Sequence, residues 1–167
     1  MRIVAIVQAR LGSTRLPNKV LAPIGDVPLI EFLLGRLSKS QRVTEIVLAT
    51  STGQINDQLA DVVENLGYHV FRGSENDVLQ RYVDAAKEAN ADVVIRITGD
   101  CPFVDPQLID EMLEDFFATN VDYMSNTDPP TFPDGFDIEI FRANALFRSS
   151  EMATTPFERE HVTPCLR

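Results

Sequence analysis

The chain has 167 residues, 44% of them apolar, and a formal net charge of −10, which suits one domain, residues 1–167, with a real hydrophobic core. No apolar stretch approaches the roughly 18 residues of a membrane helix, and the N-terminus, one Arg before a short apolar run, lacks a signal-peptide pattern. The negative charge argues against a nucleic-acid backbone as the main partner, and Cys101 and Cys165 make neither a disulfide framework nor a zinc knuckle, so the expected location is cytoplasmic.

In chain order, Ile3 to Val7 is a continuous apolar run, the mark of a strand covered on both faces. Leu29, Ile30, Leu33, Leu34 and Leu37 recur at helical spacing and predict a helix over 28–38. A buried strand over 46–49 and a helix over 54–66 follow, the helix stopping at Gly67. A short strand is expected over 68–71, a helix opened by Asp77 over 77–89, and a strand over 93–97. Asp105-Pro106 starts a helix with an N-cap and a first-turn proline, running to about residue 118. Strands over 121–124 and 136–141 complete the reading. Strand and helix alternate, so the pattern predicts an α/β domain with a largely parallel sheet. In such sheets ligands sit beyond the carboxyl ends of the strands, which directs attention to loops 8–19, 50–53, 72–76, 98–104 and 125–135.

The first of these loops is chemically distinct. Residues 1–25 hold Arg2, Arg10, Arg15 and Lys19 and no acid, leaving 11 basic against 25 acidic residues in the remainder. A basic segment in an acidic chain suits an anion. Gly12 lets backbone approach a ligand, Ser13 and Thr14 offer hydroxyls and amides, and Arg10, Arg15 and Lys19 can surround a polyphosphate. Pro17 disfavours an immediate helix. The loop has neither the three glycines of a dinucleotide fingerprint nor the Gly-Lys-Ser/Thr of a P-loop.

Ala9-Arg10-x-Gly12-Ser13-x-Arg15-x-Pro17-x-Lys19-x-Leu21 resembles the signature loop of the sugar-acid cytidylyltransferases, the group that includes the acylneuraminate and 3-deoxy-manno-octulosonate enzymes. Within it the chain is most similar to the spore coat polysaccharide biosynthesis protein F type. The resemblance continues through Arg96-Ile97-Thr98-Gly99-Asp100-Cys101-Pro102, Asp122-Tyr123-Met124-Ser125-Asn126 and Glu158-Arg159-Glu160-His161-Val162-Thr163-Pro164, essentially the whole chain. It implies a three-layer α/β/α, Rossmann-like nucleotide-diphospho-sugar transferase fold. It also implies transfer of CMP from CTP to a sugar or sugar acid with release of pyrophosphate, in cell-surface or spore-coat polysaccharide synthesis. Ala9, Arg10, Gly12, Ser13, Arg15 and Lys19 become nucleotide ligands, with Arg10 and Lys19 in catalytic roles. Asn18 stands where many relatives have Gly, a mild departure because Asn tolerates left-handed backbone.

Asp100 offers a hard carboxylate at a strand end, and the resemblance makes it a ligand for the cofactor Mg²⁺; a plain Gly-Asp turn is the alternative. Arg72 and Arg81 lie where relatives contact the base, unless they merely pair with nearby acids, and Thr98 could approach the base as well. Asp137 and Glu139 alternate with apolar residues, predicting either a sugar- or metal-facing edge or a half-exposed strand. His161 is a substrate or partner contact, or a structural helix-end residue. Cys101 is read as inert packing. The family usually draws a second metal carboxylate from a later segment, and this chain ends at Arg167, short of the usual family length. Phe136, Phe141, Leu146, Phe147 and Phe157 serve either a homodimer contact or the cover of the sheet. A glycosyltransferase using a ready-made nucleotide sugar would more typically show Asp-x-Asp after a strand. A non-catalytic nucleotide-binding module is the further alternative.

Overall fold

A computed structural model describes residues 1–13 and 16–167. Strand β1 (Ile3–Gln8) is followed by the basic loop, a one-turn 3₁₀ segment (Lys19–Leu21) and a minimal hairpin, β2 (Pro23–Ile24) and β3 (Val27–Pro28). Then come α1 (Leu29–Leu37), β4 (Glu45–Ser51), α2 (Asp57–Asn65), β5 (His69–Gly73), α3 (Val78–Glu88), β6 (Val93–Thr98) and α4 (Pro106–Thr119). The chain closes with β7 (Tyr123–Ser125), β8 (Glu139–Arg142), α5 (Ala143–Met152) and α6 (Pro156–His161).

Six strands form one sheet in the order β5-β4-β1-β6-β8-β7. The first four are parallel, and β8 runs antiparallel to both neighbours. Alternation along β1 explains the layers. Ile3, Ala5 and Val7 belong to a core built with α1, α2 and α4, whereas Val4 and Ile6 belong to a second core with α3 and α5. This is the three-layer arrangement, and it accounts for the unbroken apolar run of β1. The caps follow the sequence. Asp77 accepts from the Gln80 amide at the start of α3, and Asp105 accepts from Gln107 and Leu108 ahead of Pro106. Gly67 takes positive φ (+84°) just past α2, as its place after a helix requires.

Two corrections concern the end of the chain. The strand expected over 136–141 begins only at Glu139, and the helices α5 and α6 beyond it were not foreseen. The late aromatics largely cover the sheet. Phe141 and Leu146 are fully buried in the second core and Phe147 packs against it, while Phe157 is 61% exposed. Among the described residues no helix is long and apolar enough to cross a membrane.

Candidate active site

Strands β1 and β6 lie side by side in register, Gln8 opposite Thr98. The helix after β1 packs on one face and the helix entering β6 on the other, so the chain diverges at their carboxyl ends and leaves a crevice. Gly99 closes the floor of that crevice. Its amide donates to the Gln8 carbonyl at 2.8 Å, and a Cβ there would stand 2.7 Å from the Ala9 Cβ. Only glycine fits this approach of the two strand ends.

The basic loop is anchored from below. The Leu11 amide donates to Asn56 Oδ1 at 2.8 Å, and Asn56 Nδ2 donates to Ser51 Oγ at 2.7 Å. Fully buried Asn56 therefore ties the first loop to the end of β4. Asn18 adopts the left-handed conformation, φ 58°, which accounts for Asn or Gly at this place. Lys19 is thereby turned inward, and its Nζ donates to Asp100 Oδ2 at 2.7 Å. Burial pushes the Asp100 carboxyl up, but hydrogen bonds from Lys19 and Thr98 outweigh it and hold the group below its ordinary value. Arg10 Nη1 reaches Glu75 Oε1 at 3.5 Å.

A cavity of about 380 Å³ opens above this floor. Ala9, Arg10, Ser13, Lys19, Thr98 and Asp100 line it, and His161 faces it from α6. Arg81 and Arg96 add two further cations to the wall. In a chain of net charge −10, this cavity gathers four cationic side chains (Arg10, Lys19, Arg81, Arg96) against two carboxylates (Asp100, Glu160), a balance suited to a polyanion.

Arg81 is the unusual member. It is 1% exposed, its Nη1 donates to the Ser74 carbonyl at 2.6 Å, and its Nε has no partner in the protein. Burial pulls its pKa below the ordinary guanidinium value. A Cβ at Gly73 would stand 2.9 Å from the Phe71 ring and 3.1 Å from the Arg81 stem, so the glycine that ends β5 makes room for this side chain. Arg81 also borders a second cavity of about 450 Å³, between the β5–α3 loop and α6. The Nε of Arg96 is likewise buried without a partner, so two guanidinium groups on this wall each leave a donor unsatisfied.

The other expectations divide. Gly12 is not on the cavity wall, and a Cβ there would meet only Glu75 Oε1, at 4.0 Å. Arg15 lies outside the described residues. Arg72 is corrected. Its guanidinium is committed to the Ser51 and Gly53 carbonyls and to Asp57 at 2.7 Å, because β5 pairs with β4 and turns it toward the β4–α2 loop. Asp137 lies in the loop before β8, on a smaller cavity of about 180 Å³ shared with Arg96, Thr98 and Glu139. Burial and the neighbouring Asp134, Glu139 and Asp100 carboxylates push its pKa up. Glu139 is corrected as a substrate ligand and as a half-exposed residue. It is 4% exposed, pairs with Arg96, and accepts from Tyr123 Oη at 2.7 Å, Thr163 Oγ1 at 2.8 Å and Arg167 at 3.3 Å. Alternation read its face correctly but not its partner, which comes from the adjoining strand. Cys101 is buried with its thiol pushed up, consistent with packing. Asn56 and Glu75 are not legible as site residues in the sequence because each reaches the basic loop through a long-range contact, and Arg96 and Glu160 stand inside the family-like motifs with no role assigned from sequence.

Asp100 supplies one hard oxygen donor where the cavity meets β6, and its charge is near enough to help raise the pKa of Asp137. Among the described residues no three His, Cys, Asp or Glu side chains converge on one point. Mg²⁺ is commonly held by one or two carboxylates together with substrate phosphates and waters. The donor set fits that kind of shared site and not a cage made by protein.

The sequence matches the Cytidylyltransferase family over residues 4–167. The spore coat polysaccharide biosynthesis protein SpsF of Bacillus subtilis is 39% identical over 170 residues, covering 99% of this chain and 70% of that protein. A 3-deoxy-manno-octulosonate cytidylyltransferase of Chlorobium limicola is 33% identical over 172 residues, covering 96% and 67%. The solved structure of a cytidylyltransferase from Leptospira borgpetersenii superposes with a TM-score of 0.94 at 40% identity, covering 98% of this chain and 70% of that one. The chain thus spans about two thirds of the length of these relatives. The matched region takes in the basic loop, the Gly99-Asp100 turn and the α6 segment that walls the cavity, and on that extent the chain belongs to the cytidylyltransferase family.

Proposed function

We propose that the chain binds CTP in this crevice and transfers CMP to a sugar or sugar acid, releasing pyrophosphate, in the synthesis of a cell-surface or spore-coat polysaccharide. The observation that carries the reading is the meeting of Arg10, Ser13 and Lys19 with Asp100 at the carboxyl ends of β1 and β6, with the buried Arg81 donor alongside. A sugar hydroxyl oxygen attacks the α-phosphorus, the bond to the bridging oxygen of the β-phosphate breaks, and the electron pair leaves with pyrophosphate. Such chemistry needs position and charge more than a covalent nucleophile. Lys19 and Arg10 bear on the outer phosphates, where negative charge grows as pyrophosphate departs. The Gly99 floor holds the two strand ends at fixed separation. When bound, Mg²⁺ would be held by Asp100 and phosphate oxygens and would neutralise developing charge.

Arg81 supports the choice of base. Cytosine presents two adjacent acceptors, O2 and N3, to paired guanidinium donors, whereas uracil presents a donor at N3. The same reading includes a cytoplasmic location and self-association through the α5–α6 edge, where Met152 and Phe157 are exposed. Calorimetric titration with CTP, UTP, ATP and GTP, with and without Mg²⁺, tests it. CTP should bind tightest and strongly only with the cation. Equal affinity for all four nucleotides would remove the cytidylyl reading, and a monomeric mass by light scattering would remove the self-association.

A further inference from the structure

The cavities of about 380 and 450 Å³ share four wall residues, Gln8, Arg10, Arg81 and Glu160. A nucleotide with its phosphates at Lys19 and Asp100 and its base at Arg81 would lay its ribose along this shared wall. Arg10 and Arg81 can only donate there, and the Gln8 amide oxygen is turned toward Arg96, 3.5 Å away. Glu160 is acceptor-only, with two oxygens, and takes part in no ion pair among the described residues, unlike its neighbour Arg159, which meets Asp77 at 3.5 Å.

The backbone holds Glu160 firmly although its side chain is exposed. Ahead of it, Thr155 and Glu158 form a reciprocal capping box around Pro156. Arg159 donates to the Ser150 and Ala153 carbonyls at 2.9 and 3.0 Å. Behind it, Val162 adopts φ 70°, ψ −52°, a strained conformation for a β-branched residue. Val162 is fully buried in the second core, and the next residue is fixed by Thr163 Oγ1 donating to Glu139. A turn that departs from ordinary geometry, kept in place by burial on one side and a hydrogen bond on the other, presents Glu160 to the cavity wall.

We infer that Glu160 is a specificity-determining residue that accepts hydrogen bonds from the ribose 2′- and 3′-hydroxyls and selects ribonucleotides over deoxyribonucleotides. The inference rests on the nucleotide reading above and adds the sugar of the nucleotide to it. One carboxylate matches a vicinal diol with two parallel hydrogen bonds, and loss of one hydroxyl removes one of them.

The test is calorimetry of the 167-residue chain with Mg²⁺ and either CTP or 2′-deoxy-CTP, repeated with Glu160→Ala and Glu160→Gln, with thermal melts to confirm folding. The unsubstituted chain should prefer CTP by about tenfold or more, the scale of one hydrogen bond to a charged group. Glu160→Ala should abolish that preference by weakening CTP while leaving 2′-deoxy-CTP nearly unchanged, and Glu160→Gln should retain part of it. Equal affinity of the unsubstituted chain for the two nucleotides, or an unchanged ratio in Glu160→Ala, overturns the ribose assignment and leaves CTP binding standing. Failure of the unsubstituted chain to bind CTP at all overturns both.

Discussion

Two ion pairs at the end of β6 have opposite characters. Arg96 and Glu139 pair with side chains 14% and 5% exposed, and Glu139 accepts three further hydrogen bonds from Tyr123, Thr163 and Arg167. Four residues further along, Asp100 (49% exposed) pairs with Lys19 (26% exposed) on the wall of the cavity. The first pair is closed. Its charges are out of water and its acceptor is saturated, so it welds β6, β7, β8 and the Thr163 turn together. The second is open, and a lysine whose carboxylate partner is half-exposed can exchange it for a phosphate at little cost. Burial and the number of partners, more than charge, separate scaffold from working site.

The largest effect should come from the closed pair. Glu139→Gln leaves Arg96 buried without its counter-charge and should cost about 3–5 kcal/mol in urea unfolding; a loss below about 1 kcal/mol would show the pair to be dispensable. Its pH dependence has a definite sign. Burial pushes the Glu139 carboxyl up, but Arg96 and the hydrogen bonds outweigh it, so its folded pKa lies below the ordinary value. The stabilisation is therefore complete above the unfolded carboxyl pKa of about 4.3 and disappears as pH falls through the lower folded value. Glu139→Gln should flatten that acid limb of the stability curve.

Lys19→Ala should do the reverse, leaving the urea midpoint almost unchanged. Turnover, followed as pyrophosphate release, should fall by roughly 10²–10³-fold, the scale for one lost charge-stabilising donor. CTP affinity should suffer far more than CMP affinity, and equal losses for the two would place Lys19 away from the outer phosphates. Gly99→Ala sharpens the contrast, because its methyl would stand 2.7 Å from Ala9 Cβ. Overpacking there should cost about 1–3 kcal/mol and weaken nucleotide binding by parting β1 from β6; unaltered stability would mean that the strand ends yield. A similarly small stability effect is expected for Asp100→Asn, under about 1 kcal/mol for a partly exposed pair, with magnesium dependence of CTP binding reduced. Unchanged magnesium dependence would take the metal role from Asp100.

Apart from the 3₁₀ turn and minimal hairpin over 19–28, residues 1–119 were legible because the strands and helices announce themselves locally. Ile3 to Val7 reads as a strand buried on both faces, the leucines of α1 mark a helix face, and Asp105-Pro106 and Gly67 punctuate the helices that they bound. The basic loop was legible for the same reason, its cations standing within ten residues of one another. The last helices were not, nor was the order of the last strands. Helix α5 carries its apolar residues mostly in its first half, and the polar run Arg148, Ser149, Ser150 and Glu151 interrupts the pattern, while the insertion of β8 between β6 and β7 is a non-local pairing that no short pattern encodes. Among side chains the failures have one form. Arg72 met Asp57, Glu139 met Arg96, and Arg81 found a pocket through Gly73. Type and spacing say which chemistry a residue can perform, but the long-range neighbour decides whether that capacity is already consumed.

Asn56 has a practical consequence. Its side chain accepts the Leu11 amide and donates to Ser51, so one proton, on the Leu11 nitrogen, sits between the basic loop and the end of β4 without lining the cavity itself. In a nitrogen-15 spectrum that amide should be a sentinel. Its exchange with deuterium should slow when a triphosphate settles on the loop above, and Asn56→Ala should erase the signal's protection, which makes occupancy of the site readable without any chemical turnover.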